Sequence, residues 1–259
     1  MSSGVETSRG ITWDNAPGFS RLRCASLAMT EQVCGRLQVC HDVFPHSATM
    51  NMAIDEALLE TAVVPTIRFY RWRSPALSFG YFGKFSDVAV YTAERDLVRR
   101  WTGGGIVFHG DDLTYSIAIP ANDPAFDESS IAIYEKIHRV LCHALIAIGH
   151  CAEVVGSARC ADRTPQRSVP TNNCFANPVR ADVMINDRKV AGAAQRRTRR
   201  GLLQQGSIQG IATNNDLAED FAQALSFNCS EFEINEQLLE RAREFAQLKY
   251  GTESWVGKR

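Results

Sequence analysis

Three consecutive glycines, Gly103-Gly104-Gly105, stand between a basic pair, Arg99-Arg100, and a β-prone run, Ile106-Val107-Phe108. No helix or strand interior tolerates such a tract cheaply, because each glycine there costs about 1 kcal/mol relative to alanine. A second β-prone run, 113–119, lies just beyond the polar residues Gly110-Asp111-Asp112. Glycines placed between strands mark either a surface corner or a site where backbone approaches a ligand, or another strand, more closely than a Cβ allows. The glycines alone leave both readings open. Their neighbours carry chemistry: two arginines before the tract, and His109 with two aspartates after it.

The rest of the chain is long enough to surround such a site with a core. Its 259 residues suffice for one large domain or two small ones, and 45% apolar with 22% charged residues is ordinary for a soluble globular protein. A formal net charge of -1 gives no reason to expect a nucleic-acid or membrane surface. No apolar run approaches the ~20 residues of a membrane helix, and residues 1–17 lack the apolar core of a secretory leader. Eight cysteines (Cys24, Cys34, Cys40, Cys142, Cys151, Cys160, Cys174 and Cys229) contain no C-x-x-C pair and no zinc-ligand spacing. That usage predicts reduced thiols in a cytoplasm, with no disulfide framework and no metal site.

Residues 1–34 show no sustained period and are expected to form a weakly ordered extension; 35–259 read as a single domain. A first strand is predicted over 36–43. Met50, Ala53, Ile54, Ala57 and Leu58 recur at helical spacing over 50–61, with Ser47 or Thr49 as N-cap. Asn51, Asp55 and Glu56 fall on the other side, the acids being most simply early-turn charges favoured by the helix dipole. The runs 66–72 and 76–82 flank Arg73-Ser74-Pro75 as a hairpin would, and 91–98 reads as a short helix entering the glycine tract. Ser129-Ser130 caps a long helix to Gly149, whose Ile133, Ile137, Leu141, Leu145 and Ile148 form one core stripe. A hairpin follows, 181–185 and 188–194 around Asn186-Asp187, then a strand over 202–211 and helices near 216–225 and 235–250. Strands and helices do not alternate strictly, so an α+β fold with a mixed or antiparallel sheet is expected.

Asp182, Lys189, Gly192, Ala193, Ala194 and Gln195 share that hairpin, just after Cys174. Each has an ordinary explanation taken singly. A lysine near a hairpin tip is usually solvated, a lone cysteine is usually a small buried hydrophobe, and His109 fits a hydrogen-bonded structural histidine. Arg196, Arg197, Arg199 and Arg200 make a solvated face or a dock for an acidic carrier. A cysteine in a loop with arginines nearby is less ordinary, because positive charge favours the thiolate.

Four motifs occur in order: Asn51-Met52-Ala53-Ile54-Asp55-Glu56-Ala57-Leu58, the glycine motif of 99–116, Asp182 with Arg188-Lys189-Val190-Ala191-Gly192-Ala193-Ala194-Gln195, and Gln205-Gly206-Ser207-Ile208. Together they closely resemble the lipoate–protein ligase and octanoyltransferase family, related to biotin–protein ligases. The resemblance covers residues 36–255. It implies a mixed, largely antiparallel β-sheet backed by helices, the biotin/lipoyl protein ligase catalytic-domain fold, with the acyl chain in a central tunnel. It also implies that Arg100, Thr102, Gly103, Gly104, Gly105 and His109, with Gly192, Ala193 and Ala194, border the acyl and nucleotide site. Lys189 would contact the activated acyl carbonyl or phosphate. Glycines let backbone N–H groups approach an anion, and a lysine beside a reacting acyl group stabilises developing negative charge.

The chemistry of that family divides. Its ligases activate lipoate with ATP and magnesium as lipoyl-AMP, then acylate a lysine of a lipoyl domain. Its transferases take octanoyl from acyl carrier protein, in one branch through a cysteine thioester. Cys174-Phe175 stands where that branch has its nucleophile, and Leu113-Thr114-Tyr115-Ser116 and Ala194-Gln195 resemble it too. Gly105 is instead the ligase form, since the cysteine branch usually carries arginine there. About fifty residues follow the last strand, which suggests no accessory C-terminal domain. The expectation is therefore an octanoyl or lipoyl transferase with Cys174 and Lys189 as catalytic residues. It would act on lipoyl domains of 2-oxoacid dehydrogenase and glycine cleavage proteins, without cofactor, nucleic acid or membrane. The alternatives are an ATP- and magnesium-dependent ligase, and a protein that binds lipoate or a lipoyl domain without chemistry.

Overall fold

The computed structural model describes residues 32–156, 178–212 and 215–258. In chain order the elements are β1 (Leu37–His41), α1 (Ala48–Thr61), β2 (Thr66–Tyr70), β3 (Ala76–Phe79), β4 (Asp96–Arg99), β5 (Ile106–His109) and β6 (Leu113–Pro120). Then come α2 (Ser130–Ala147), β7 (Ala152–Val154), β8 (Val183–Ile185), β9 (Arg188–Thr198), β10 (Gly201–Ile208) and α3 (Asn215–Leu225). The chain continues through β11 (Cys229–Glu231), α4 (Glu236–Phe245), a π-helical turn at Ala246–Tyr250 and α5 (Glu253–Val256).

Among the described residues the strands build two sheets. The larger has the order β11-β1-β2-β6-β10-β9-β8-β7. β1 runs parallel to β11 and β2, and every pairing from β2 to β7 is antiparallel. The smaller, β4-β3-β5, pairs β3 parallel to β4 and antiparallel to β5. The fold is thus α+β with a largely antiparallel main sheet, as expected.

Both faces of that sheet are covered, and every residue of β6 and β10 is buried. One face presents Tyr115, Ile117, Ile119 and Leu202 to the stripe of α2 and to Leu217 and Phe221 of α3. The other presents Ala118 and Leu203 to Met52, Ile54 and Leu58 of α1. The Ser129 hydroxyl caps α2 by accepting from Ala132 N–H at 3.2 Å, and Ser47 caps α1 by accepting from Met50 N–H at 3.3 Å. Asn186 and Asp187 take φ of 50° and 62° between β8 and β9, the two left-handed residues that a tight hairpin turn needs.

Several expectations change. The runs 66–72 and 76–82 form no hairpin: β2 is inserted between β1 and β6, whereas β3 belongs to the smaller sheet. All five residues of β2 are buried, so partners on both edges outweigh a local turn. In place of a helix over 91–98, a 3-10 turn at Ala89–Tyr91 leads into β4, whose Val98 fills the core beside α1. Of the expected extension, 1–31 lie outside the described residues, but Val33 and Cys34 are buried and their N–H groups bond Leu225 O. Asp55 is no early-turn charge. It sits mid-helix and fully buried, because α1 packs against both sheets and α4 rather than facing solvent on one side. No helix of the described residues is long and apolar enough to cross a membrane.

Candidate active site

The sheet face toward α1 is polar where β6 and β10 cross it. Thr114 and Ser116 alternate with Tyr115 and Ile117, and their cross-strand partners are Ser207 and Gln205. Buried polar groups need partners, and here they find carboxylates. Asp55 accepts from Ser116 Oγ (2.7 Å), Gln205 Nε2 (2.7 Å), Tyr70 Oη (3.0 Å) and Arg68 Nη1 (2.8 Å). Arg68, itself fully buried, also donates to Asp42 and Asn51. These groups form the floor beneath the glycine tract.

His109 stands between two oxygens. Its Nδ1 lies 2.8 Å from Asp112 Oδ2 and its Nε2 lies 2.6 Å from Ser78 Oγ, while its ring stacks on Trp72 at 4.0 Å. Burial pushes the His109 pKa below the usual imidazole value against the pull of Asp112, so the ring is neutral at pH 7. Burial works upward on the Asp112 carboxyl, but the imidazole beside it, the Ser207 hydroxyl and the Gly110 N–H hold it down at about 2. With Asp112 ionised, His109 donates through Nδ1–H and accepts the Ser78 hydroxyl at Nε2. Ser78 Oγ in turn accepts from Arg100 Nη1 at 2.6 Å. Both ring nitrogens are thereby engaged, and the chain Asp112–His109–Ser78 aims Arg100.

Arg100 shapes the tract. Its Nη2 donates to the carbonyls of Gly103 (3.1 Å) and Gly105 (2.8 Å), and Gly104 between them takes φ of 85°. Gly80 backs the loop so closely that a Cβ there would lie 2.0 Å from Gly104 O. Arg99 serves another purpose: fully buried, it donates to the carbonyls of Tyr81, Gly83, Trp255 and Val256 and ties the tract to the C-terminal helix.

Together these elements line a narrow, mostly apolar cleft of about 30 Å³, open to solvent on one side. Arg100, Gly104, His109, Gly192, Ala193 and Ala194 line it, joined by Met52, Tyr70, Trp72, Ser78, Val107, Gln205 and Ser207. Thr102, Gly103 and Gly105 shape the wall from behind; Thr102 Oγ1 donates to Gln205 Oε1 at 2.8 Å. Cys174 lies outside the described residues. Ser78 was not singled out in the sequence, where Asp112 stood only as one of the two aspartates that follow His109. Among the described residues no cluster of His, Cys, Asp and Glu is placed to hold a metal ion. Burial raises the thiols of Cys34 and Cys40 to about 12 and 11, the opposite of activation.

Lys189 departs from its expected place at an exposed hairpin tip. It is 4% exposed, and its ammonium lies 2.8 Å from Asp182 Oδ2. Asp182 also accepts from Tyr134 Oη (2.8 Å) and Val179 N–H (2.7 Å). A Cβ on Gly192 would fall 2.6 Å from Lys189 Nζ, so the ammonium fills the space that a side chain at this cleft-lining position would take. A cation held by a carboxylate against the wall of an apolar cleft is suited to meeting a developing oxyanion.

The wall behind Lys189 is pH-sensitive. His138 is fully buried, with Nδ1 2.6 Å from Ala181 O and Nε2 3.1 Å from Tyr115 Oη. Burial pushes its pKa down to about 4. The unfolded chain therefore takes up a proton below pH 6.5 that the native protein refuses until pH 4. The stability from this group is complete above pH 6.5 and declines as pH falls, by roughly 3 kcal/mol at pH 4. Urea unfolding of the wild type and His138→Gln between pH 7 and 4 measures it. A wild-type midpoint that falls no faster than the variant's would remove His138 as the cause.

Comparison with known proteins follows the same outline. Residues 47–237 match the family described as the lipoyl protein ligase A/B catalytic domain. The chain is similar to octanoyltransferase LipM of Brevibacillus brevis (36% identity over 62% of each protein) and of Symbiobacterium thermophilum (31%, covering 79% of this chain and 92% of that one). It spans about three fifths of the length of the Brevibacillus protein and of several other curated relatives it matches. Among solved structures it is similar to a lipoate-protein ligase A bound with ATP (TM-score 0.66, 21% identity, 86% of this chain and 98% of that one). It is also similar to a bipartite lipoate protein ligase of Thermoplasma acidophilum (TM-score 0.63, 20% identity, 86% and 96%). At these identities the structural likeness is one of fold.

Proposed function

The chain belongs to the lipoyl protein ligase A/B catalytic domain family, and from that premise we propose that it transfers an octanoyl group from a carrier-protein thioester to a lysine of a lipoyl domain. The names of its relatives support the octanoyl group, and the buried Lys189–Asp182 pair at the cleft wall carries the chemistry. Cys174, eight residues ahead of Asp182 in the sequence, is the nucleophile. Its thiolate attacks the thioester carbonyl, a bond to Cys174 sulfur forms, and the carrier leaves as its thiolate, which takes a proton from solvent. The lipoyl-domain lysine, as free amine, then attacks the acyl-cysteine; an amide forms and the Cys174 thiol is released. Lys189 stabilises the oxyanion in both steps. The acyl chain lies along Met52, Trp72 and Val107, bordered by Arg100, Gly104, His109 and Gly192 to Ala194. No nucleotide is consumed, and a thiolate nucleophile requires a reducing setting, the cytoplasm.

Ligation with ATP and magnesium is the second reading, favoured by Gly105, which is the ligase form of the tract. One experiment separates the two. Apo lipoyl domain is incubated with the protein and either octanoyl carrier protein alone, or lipoate with ATP and magnesium, and its mass is measured. Octanoylation without ATP is expected. Lipoylation only in the second mixture would establish the ligase, and no gain in either would leave a binding protein.

Gly104 tests the cleft. A side chain there meets a left-handed φ and contacts at 3.2 Å from Arg100 Nη2 and Ala194 Cβ. Gly104→Val is expected to cost about 2 kcal/mol of stability and to raise the donor KM roughly tenfold or more. Unchanged melting and unchanged KM would show that the tract merely turns the chain.

A further inference from the structure

The basic run after the cleft does not stay together. Strand alternation sends Arg197 to the far face, where it lies 3.9 Å over Phe126 and donates to Glu128 O, and Arg200 pairs with Glu60. Arg196 follows Gly192 and Ala194 on the cleft face, opposite Leu203. Its guanidinium lies 5.3 Å from the ring centres of both Tyr81 and Trp101, and its buried Nε has no hydrogen-bond partner. Lys258 adds a second cation, with Nζ 2.8 Å from Tyr81 Oη. The neighbouring carboxylate, Glu56, is already engaged by Lys249 (2.6 Å) and Tyr250 (2.5 Å). Among the described residues neither Arg196 nor Lys258 forms an ion pair.

Two uncompensated cations on an aromatic platform make an anion site, and its place on β9, on the same strand face as the cleft-lining Gly192 and Ala194, identifies the anion. A guanidinium steadied by rings offers its two outer Nη–H groups as a planar fork that matches two phosphate oxygens. Arg196 stands four residues beyond Gly192, about 13 Å along the strand, from where Lys189 meets the acyl carbonyl. Resting on the transferase reading above, we propose that Arg196, assisted by Lys258, binds the phosphate of the donor's phosphopantetheine arm while the thioester enters the cleft.

The test compares octanoyl-pantetheine with octanoyl-phosphopantetheine as donors for the full chain and a lipoyl domain. Wild type is expected to prefer the phosphorylated donor in kcat/KM, and Arg196→Gln to reduce that preference about 10- to 100-fold, the worth of a charge-assisted hydrogen bond. Arg196→Lys should restore part of it. The ratio cancels any general damage from the substitution. Once the phosphopantetheine preference has fallen, octanoyl carrier protein and octanoyl-coenzyme A, run in parallel, show by an accompanying loss which source presents the phosphate. An unchanged preference, or a loss confined to the carrier protein with phosphopantetheine unaffected, overturns it. Failure of wild type with every donor would instead refute the transferase reading itself.

Discussion

Lys189→Ala is expected to lower octanoyl transfer by about 10²- to 10³-fold, the usual cost of removing one donor to an oxyanion. It should also destabilise the protein. The substitution leaves Asp182 buried and without its cation, which costs roughly 3–5 kcal/mol in full, although Tyr134 and Val179 N–H still hold the carboxylate. The two losses can be separated. In Lys189→Met with Asp182→Asn the orphaned charge is gone and the volume is kept, so thermal stability should recover much of what Lys189→Ala lost. Transfer should not recover. A double variant that regains activity together with stability would make Lys189 a structural cation only.

Cys174→Ser should have the larger effect on rate. A covalent route requires that sulfur, and loss of a nucleophile typically removes about four orders of magnitude or more. With octanoyl carrier protein and no acceptor, intact mass spectrometry of the wild type should show one added octanoyl group, lost on treatment with hydroxylamine and absent from the variant. Peptide mapping should assign it to Cys174. Activity in Cys174→Ser that needs ATP and free lipoate would sink the thioester route and establish the adenylate one. The buried thiols Cys34 and Cys40 should take no acyl group, since burial holds them protonated.

Much of the fold was legible because it is local. Ser47 and Ser129 cap helices through hydrogen bonds spanning three residues. Asn186-Asp187 turns a hairpin by its own backbone preferences, and the α2 stripe repeats at 3.6 residues. The glycine tract announced a special backbone, and four motifs in order pointed to the family that the comparisons bear out.

Partner choice was not legible. β2 and β3 looked like the arms of one hairpin, yet pairing with β1 and β6 on one side and with β4 and β5 on the other separated them. The same long-range pairing made the site. Ser78 meets His109 across 31 residues, and Gln205 reaches Asp55 across 150. Asp55 and Lys189 read as surface charges because periodicity reports which face of an element is apolar, not whether a second layer covers the polar one. Burial of those charges depends on what packs over them, and that is decided by the whole chain. The sequence by itself determined the elements, the tract and the residue types available for chemistry. Only the tertiary structure decided which charges leave water and pair, because desolvation and Coulomb attraction act between groups that the fold brings together.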